Sequence, residues 1–316
     1  MRPFAPVVTT FAVVAACATA PTRPPTDELR LPSGATVATF VQPVYDQADA
    51  AATCKPFHRV FAADGRQLTK DLGGEHPHHR GVFVGWNQVE HGGATLDFWH
   101  CRNGEAQRTL AVIGGGDAPQ TATIAWTDAT AGEVLREVRT VAVRALTDGV
   151  FALDVASHLT TTQPRVRLGG DPQHAGNQFR ALQRFAEKDQ PKVRYVRPAD
   201  AGAHGNDVWT GCRWIAAVLP MDGGDVTVLR VEGADNLPAD WSTRAYGRFG
   251  AMWRAELTPA KPAAFHVTYV VADGARDAAW CAATAAAQPP RRGYRGPQRA
   301  AARLPAVRLP AVQRAR

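Results

Sequence analysis

Beyond its first seventeen residues, the 316-residue chain has no apolar stretch approaching the roughly 20 residues that a membrane helix needs. A body crossing a bilayer on helices is therefore not expected. There is no Cys-x-x-Cys pair, which argues against a structural zinc knuckle or a thioredoxin-type centre. Helical patterning is also scarce. Only the Ala-rich stretch 277–288 reads as a helix, and Pro289 and Pro290 end it. The body lacks the basic surplus of a nucleic-acid binder, although the whole chain carries +7. Eight arginines and no acidic residue lie between Arg291 and Arg316, and subtracting them leaves −1 for residues 1–277. No nucleic-acid partner is expected.

At 45% hydrophobic and 21% charged residues, the composition is that of a globular protein with a sizeable core, so disorder is not the default. The start, MRPFAPVVTTFAVVAAC, has an early Arg, an apolar run too short to span a bilayer, and small residues before Cys17, as a secretory signal requires. Val14-Ala15-Ala16-Cys17 reads as a bacterial lipobox, with cleavage nearby and loss of Cys17 as the alternative. The expectation is an exported periplasmic or cell-surface lipoprotein, held to the outer or inner membrane by a lipid on Cys17. The organisation expected is a signal over residues 1–17, a linker over 18–27, one β domain over 28–288 and a disordered Arg/Pro/Ala-rich tail over 289–316. Cys54, Cys101, Cys212 and Cys281 remain for that domain. Two disulfides and free buried thiols are both open, and sequence cannot choose the pairing.

Between the linker and the helix run short β-type segments, at 81–89, 108–113, 121–126, 137–145, 151–159, 192–196, 214–219, 226–231 and 265–271. Phe265, Val267, Tyr269 and Val271 alternate cleanly with His266, Thr268 and Val270, as in a strand with one buried face. In the segment from Arg139 to Thr147 the alternation holds only if a bulge intervenes. Many short strands separated by Gly, Asp, Asn and Pro point to an all-β domain, a sandwich or a barrel.

The densest polar cluster is Glu75-His76-Pro77-His78-His79-Arg80. Pro77 excludes a helix interior, so the segment is expected to be extended, with His76, His78 and Arg80 on one face and His79 turned away. Such histidines could act as an acid and a base, or with His174 bind zinc or copper, while Arg80 stabilises developing negative charge. A solvated loop with no chemistry is the competing reading. Asp97-Phe98-Trp99-His100 is expected to set a carboxylate beside an indole on one strand face, an arrangement suited to a sugar. Trp86 offers a second platform. His174 sits near a turn, and Gln178 and Arg180 share a face of the segment after it. Tyr246, between Arg244 and Arg248, is a phenol whose ionised form neighbouring positive charge would favour. The expected catalytic set is thus His76, His78, His79, Arg80, His174 and Tyr246. The expected substrate-binding set is Trp86, Asp97, Trp99, Gln178, Arg180 and Arg244.

KPFHRVFAADGRQLTKD (55–71), EHPHHRGVFVGW (75–86), DFWH (97–100), DPQHAGNQFRA (171–181) and RAYGRFG (244–250), in this order, resemble the exported bacterial family catalogued under the label "methane oxygenase PmoA". The match covers about 55–274. Glu75 stands where the family usually has Asp, and 90–96 is a longer link than usual before DFWH. The label's activity does not carry over, because the membrane methane monooxygenase subunit of that name is a multi-helix membrane protein. The resemblance implies an extracytoplasmic protein of a family that tends to accompany sugar-degrading proteins, with a β-sandwich similar to galactose-mutarotase-like folds. Three functions stay open. One is a carbohydrate-active hydrolase, lyase or epimerase using the His/Arg site for acid–base work on a small polar substrate. The second is a non-catalytic sugar-binding lipoprotein. The third is a copper- or zinc-dependent oxygenase or hydrolase, with ligands drawn from His76, His78, His79, His100 and His174.

Overall fold

The computed structural model describes residues 27–289. The expected signal, with Cys17 and the expected lipobox, and the expected tail from residue 290 onward lie outside the described residues.

All nine β-type segments fall in strands, and two large antiparallel sheets result. One runs Glu28–Arg30, Thr36–Val41, Phe57–Val60, Val82–Trp86, Ala175–Arg180, Arg248–Met252, Asp240–Arg244, Val208–Thr210 and Gly202–Ala203. The other runs Arg194–Val196, Trp214–Leu219, Val226–Glu232, Ala263–Asp273, Val150–Thr160, Glu133–Thr147, Gln120–Thr127 and Ala106–Gly114. A small sheet of Ala255–Leu257, Val166–Gly169, Gln88–His91 and Ala94–Leu96 adjoins them. The expected bulge is present. Val150 pairs with Thr147 and Phe151 with Ala145, which leaves Leu146 without an opposite residue.

The large sheets pack face to face as a sandwich. Alternation sends Val82, Val84 and Trp86 inward, together with Phe179, Phe265, Val267, Tyr269 and Val271. Trp86 lies 6.0 Å from Trp126 across the layer, and Phe179 lies 5.9 Å from Tyr269. Two pairs of buried polar groups join inside it. The Tyr269 hydroxyl donates to Asn177 Oδ1 at 2.6 Å, and His58 Nε2 meets Gln120 Oε1 at 3.1 Å. Burial, with Arg139 nearby, pushes the His58 pKa down to about 3. The helix Ala278–Ala286, capped by Asp277 accepting from the Trp280 N–H, buries Cys281 against the outer face of the second sheet.

The same alternation sends Phe83, Gln178, Arg180 and Arg248 to the outer face of the first sheet. Phe57, Phe83 and Trp99 form a separate apolar cluster there. Gly85 makes this face accessible to another piece of backbone. A Cβ at residue 85 would stand 2.6 Å from the Phe98 carbonyl oxygen, so only glycine lets the segment Asp97–His100 lie directly on the strand. All four described cysteines are free, and the thiols of Cys54 and Cys101 lie against one another beneath this segment.

Candidate functional site

The histidine-rich segment is a turn, not the extended strand its sequence suggests. His76 takes a left-handed φ of 54°, and the His79 N–H donates to the His76 carbonyl at 2.9 Å. Buried Lys70 holds the turn from below, its ammonium donating to the carbonyls of Gly73, His76 and His79. The consequence reverses the expected facing. His78 and His79 stack edge to face at 4.2 Å, and Arg80 is the side chain that turns away. Arg80 is fully buried, donates to the carbonyls of Ala51, Ala52 and Pro77, and lies 5.8 Å from the Phe57 ring centre. It clamps the loop and does not join the imidazoles.

Asp97 and Trp99 do not share a strand face either, because Asp97–His100 is also a turn. One Asp97 oxygen accepts the Trp99 and His100 N–H groups, while the other takes His100 Nδ1 at 2.7 Å. Asp171 repeats the arrangement three residues before His174. It accepts from the Gln173 N–H at 2.9 Å, and His174 Nδ1 sits 2.9 Å and 3.0 Å from its two oxygens. Burial alone would raise both carboxyls. The bonds from His100 and from His174 outweigh it and hold each below its ordinary range.

These turns converge on the outer face of the first sheet. Ring centres of His78 and His100 are 4.5 Å apart, and those of His100 and His174 are 5.2 Å apart. His76 lies 5.9 Å from His78 and 5.7 Å from Tyr246. His79 and Trp99 form the floor, 5.6 Å apart edge to face, at 3% and 0% exposure. Both ring nitrogens of His79 and the indole nitrogen of Trp99 are buried without a hydrogen-bond partner. Burial, then the charges of Lys55 and His100, lowers the His78 pKa to about 2. Burial and His78 push His79 lower still.

Positive charge lies behind this floor. Lys55, fully buried, donates to the Trp99 carbonyl and sits 5.0 Å from the Phe83 ring centre. Arg180 lies 4.7 Å from the Tyr246 ring centre and donates to the carbonyls of Ala181, Leu182 and Tyr246. Arg248 donates to Gln178 Oε1, Ser242 Oγ and Gln173 Oε1. Burial lowers the Arg180 pKa to about 10 and pulls Arg248 down as well.

Of the expected residues, the structure gathers His76, His78, His79, His174, Tyr246 and Trp99, with Asp97 behind His100. Gln178 and Arg180 support it from below, fully buried. Trp86 is excluded. It packs between the sheets, its indole donating to the Trp253 carbonyl at 3.0 Å, because its strand turns even positions inward. Trp99 is a floor and not an exposed platform, since Gly85 draws its turn against the sheet. Arg244 points elsewhere, to the Asn206 carbonyl at 2.9 Å and to Asp207. The expected ligands His76, His78 and His174 do not converge as a trio, because His100 stands between His78 and His174. Among the described residues no group of three or more His, Cys, Asp or Glu is placed to hold a metal ion. Surface clefts of about 400 and 500 Å³ lie elsewhere, beside Phe61 and beside the C-terminal helix, and neither borders the cluster.

Asp171, Lys55 and Arg248 were not among the expected site residues, and His100 was expected only as a candidate metal ligand. Asp-x-x-His occurs at 97–100 and again at 171–174. That repeat was the available signal, since an Asp opening a turn can reach an imidazole three residues on.

The model of a family of unknown function, DUF6807, matches residues 31–286. The match supports a domain of unknown function and gives no support to the methane-oxygenase label. No curated protein matches the sequence. A solved structure titled "Putative kojibiose phosphorylase from human microbiome" is similar over 79% of this chain, at 7% identity and a TM-score of 0.29. This chain spans 28% of the length of that protein, and the likeness carries no argument here.

Proposed function

Starting from the premise that this chain belongs to the family of unknown function DUF6807, we propose that it is an exported carbohydrate-active enzyme working by general acid–base catalysis at the imidazole cluster. The observation that carries the reading is the pair of adjacent, carboxylate-backed imidazoles, His100 with Asp97 and His174 with Asp171. An ionised carboxylate only accepts, so each Nδ1 must donate and each Nε2 carries the lone pair. Two such nitrogens on rings 5.2 Å apart provide a base and, once one is protonated, an acid. Hydrolysis, β-elimination and epimerisation of a sugar each require that exchange. His78, 4.5 Å from His100, extends the relay, and Tyr246 borders it with its ring centre 5.7 Å from that of His76.

Glycosidase chemistry by two carboxylates fits poorly, because Asp97 and Asp171 are each occupied by an imidazole. Capture without catalysis fits less well than acid–base work, since neither Trp86 nor Trp99 exposes a face on which a sugar could stack. For localisation the proposal is export with lipid attachment at Cys17, motivated by Val14-Ala15-Ala16-Cys17.

The test is a screen of the purified protein against plant and microbial glycans and their monosaccharides, with three readouts. These are reducing ends released, unsaturated product formed, and deuterium taken from solvent into the sugar. One readout should be positive for the wild type and at least a hundredfold weaker for His174→Ala and His100→Ala. A positive readout unchanged in both variants would overturn the assignment.

A further inference from the structure

The cluster is made of groups that donate or can be protonated, and its carboxylates face the wrong way to balance them. Asp97 and Asp171 hold the outer sides of His100 and His174. Glu75, the remaining nearby acid, is 61% exposed at its side chain and sits 3.4 Å from His76. Behind the floor, Arg180 and Arg248 are at most 1% exposed and have only carbonyl, amide and hydroxyl partners among the described residues. Among the described residues no carboxylate forms an ion pair with either, and Glu75 acts on Arg180 only from a distance. Lys70 donates to carbonyls, with Asp71 acting on it from a distance, while Lys55 faces the thiols of Cys54 and Cys101 and feels Asp97 more weakly.

Elsewhere the protein does neutralise its buried cations. Arg139 pairs with Glu137 at 2.8 Å, and Arg230 pairs with Glu232. The contrast is specific to this face. Burying a cation without a counter-charge is costly, and in a low-dielectric setting its field reaches neighbouring groups. That field acts on the imidazoles, where Lys55 opposes protonation of His78, and Arg248, Lys55 and Arg180 oppose protonation of His79. The unpartnered indole N–H of Trp99 adds a group that can only donate, and neutral His79 adds another N–H.

We infer that the ligand of this site bears a negative charge, and that the substrate class is an acidic sugar whose carboxylate settles among the imidazoles over Arg180 and Arg248. The inference rests on the carbohydrate reading above and narrows it. A carboxylate would supply the missing counter-charge and acceptors for the orphaned donors. It would also offset the neighbouring cations that oppose protonation of His78 and His79, so the substrate would help to create its own general acid. For an acidic sugar this favours chemistry beside the carboxylate, where a base removes the adjacent carbon-bound proton and the developing charge is delocalised into the carboxylate.

The experiment is a calorimetric titration of the full-length protein at low salt with six monosaccharides, the uronates of glucose, galactose and mannose and their neutral parents, and separately with inorganic phosphate. At least one uronate should bind tenfold or more tightly than its parent, and most of that advantage should vanish in high salt. A neutral parent binding as tightly as its uronate would overturn the inference and leave the sugar reading standing. Phosphate binding with no response to any sugar would support an anion site and overturn the sugar reading. Silence from all seven would overturn the inference. Arg180→Gln should erase the uronate advantage while circular dichroism stays native. Should that variant not fold, comparison of uronate with parent on the wild type decides alone.

Discussion

His100 and His174 face each other with ring centres 5.2 Å apart, and each is gripped at Nδ1 by a carboxylate three residues earlier in its own turn. Two unrelated stretches of chain have built the same device and brought the copies together. The expected result is that both rings are Nδ1–H tautomers when neutral. Nitrogen-15 spectra of the imidazoles check this, and Asp97→Asn or Asp171→Asn should shift only the ring that its carboxylate holds. An Nε2–H tautomer at either position would remove that ring as a base.

Stability should fall as the solution is acidified below neutrality. His58, His78 and His79 have folded-state pKa values below 6.5, so below pH 6.5 the unfolded chain binds protons that the fold refuses. Stability from these groups is complete above about pH 6.5 and is lost as pH falls toward the folded values. His58 alone contributes a loss of about 2 kcal/mol between pH 7 and pH 5. Urea denaturation at the two pH values measures it, and His58→Gln should flatten the dependence by one proton's worth. A stability curve flat between pH 7 and pH 5 would contradict the burial of neutral imidazoles.

Arg80 and His174 should separate stability from activity. Arg80→Ala leaves the carbonyls of Ala51, Ala52 and Pro77 without their donor and should cost about 3 kcal/mol in thermal or urea denaturation. His174→Ala, at a side chain 40% exposed, should cost less than about 1 kcal/mol while removing turnover. The reverse order would return Arg80 to the reacting groups.

Gly85→Ala should damage the site through the backbone. Its Cβ would meet the Phe98 carbonyl at 2.6 Å, so the Asp97–His100 turn must lift. A loss of about 1–3 kcal/mol in stability is expected, with displacement of the His100 resonance. An unshifted His100 signal would show that the sheet yields instead of the turn.

Much of the sandwich was legible because its strands alternate strictly. Phe265 through Val271 could be read directly, and even the bulge at Leu146 followed from a break in that alternation. The site was legible as residue types and much less so as geometry. Treating 75–80 as extended misplaced Arg80 and His79, because the left-handed backbone at His76 is not written in the residue itself. Trp99 looked like a sugar platform until Gly85 drew its turn onto the sheet. Trp86 and Trp99 have the same composition signal and opposite surroundings, which only strand pairing distinguishes.

The imidazoles of the cluster come from three turns between His76 and His174, and Tyr246 comes from a fourth; three of these turns border strands of one sheet, while Asp97–His100 links Ala94–Leu96 to Ala106–Gly114 and lies against the strand Val82–Trp86. None of these contacts can form until the central strands Val82–Trp86, Ala175–Arg180 and Arg248–Met252 are aligned, and their partners lie far apart in sequence. Closing such distant pairings is the slow part of folding an antiparallel protein. The cluster is therefore a late-forming reporter. During refolding, recovery of ligand binding should trail recovery of strand content, and a chain stalled with misaligned strands would look well formed by spectroscopy while having no working site.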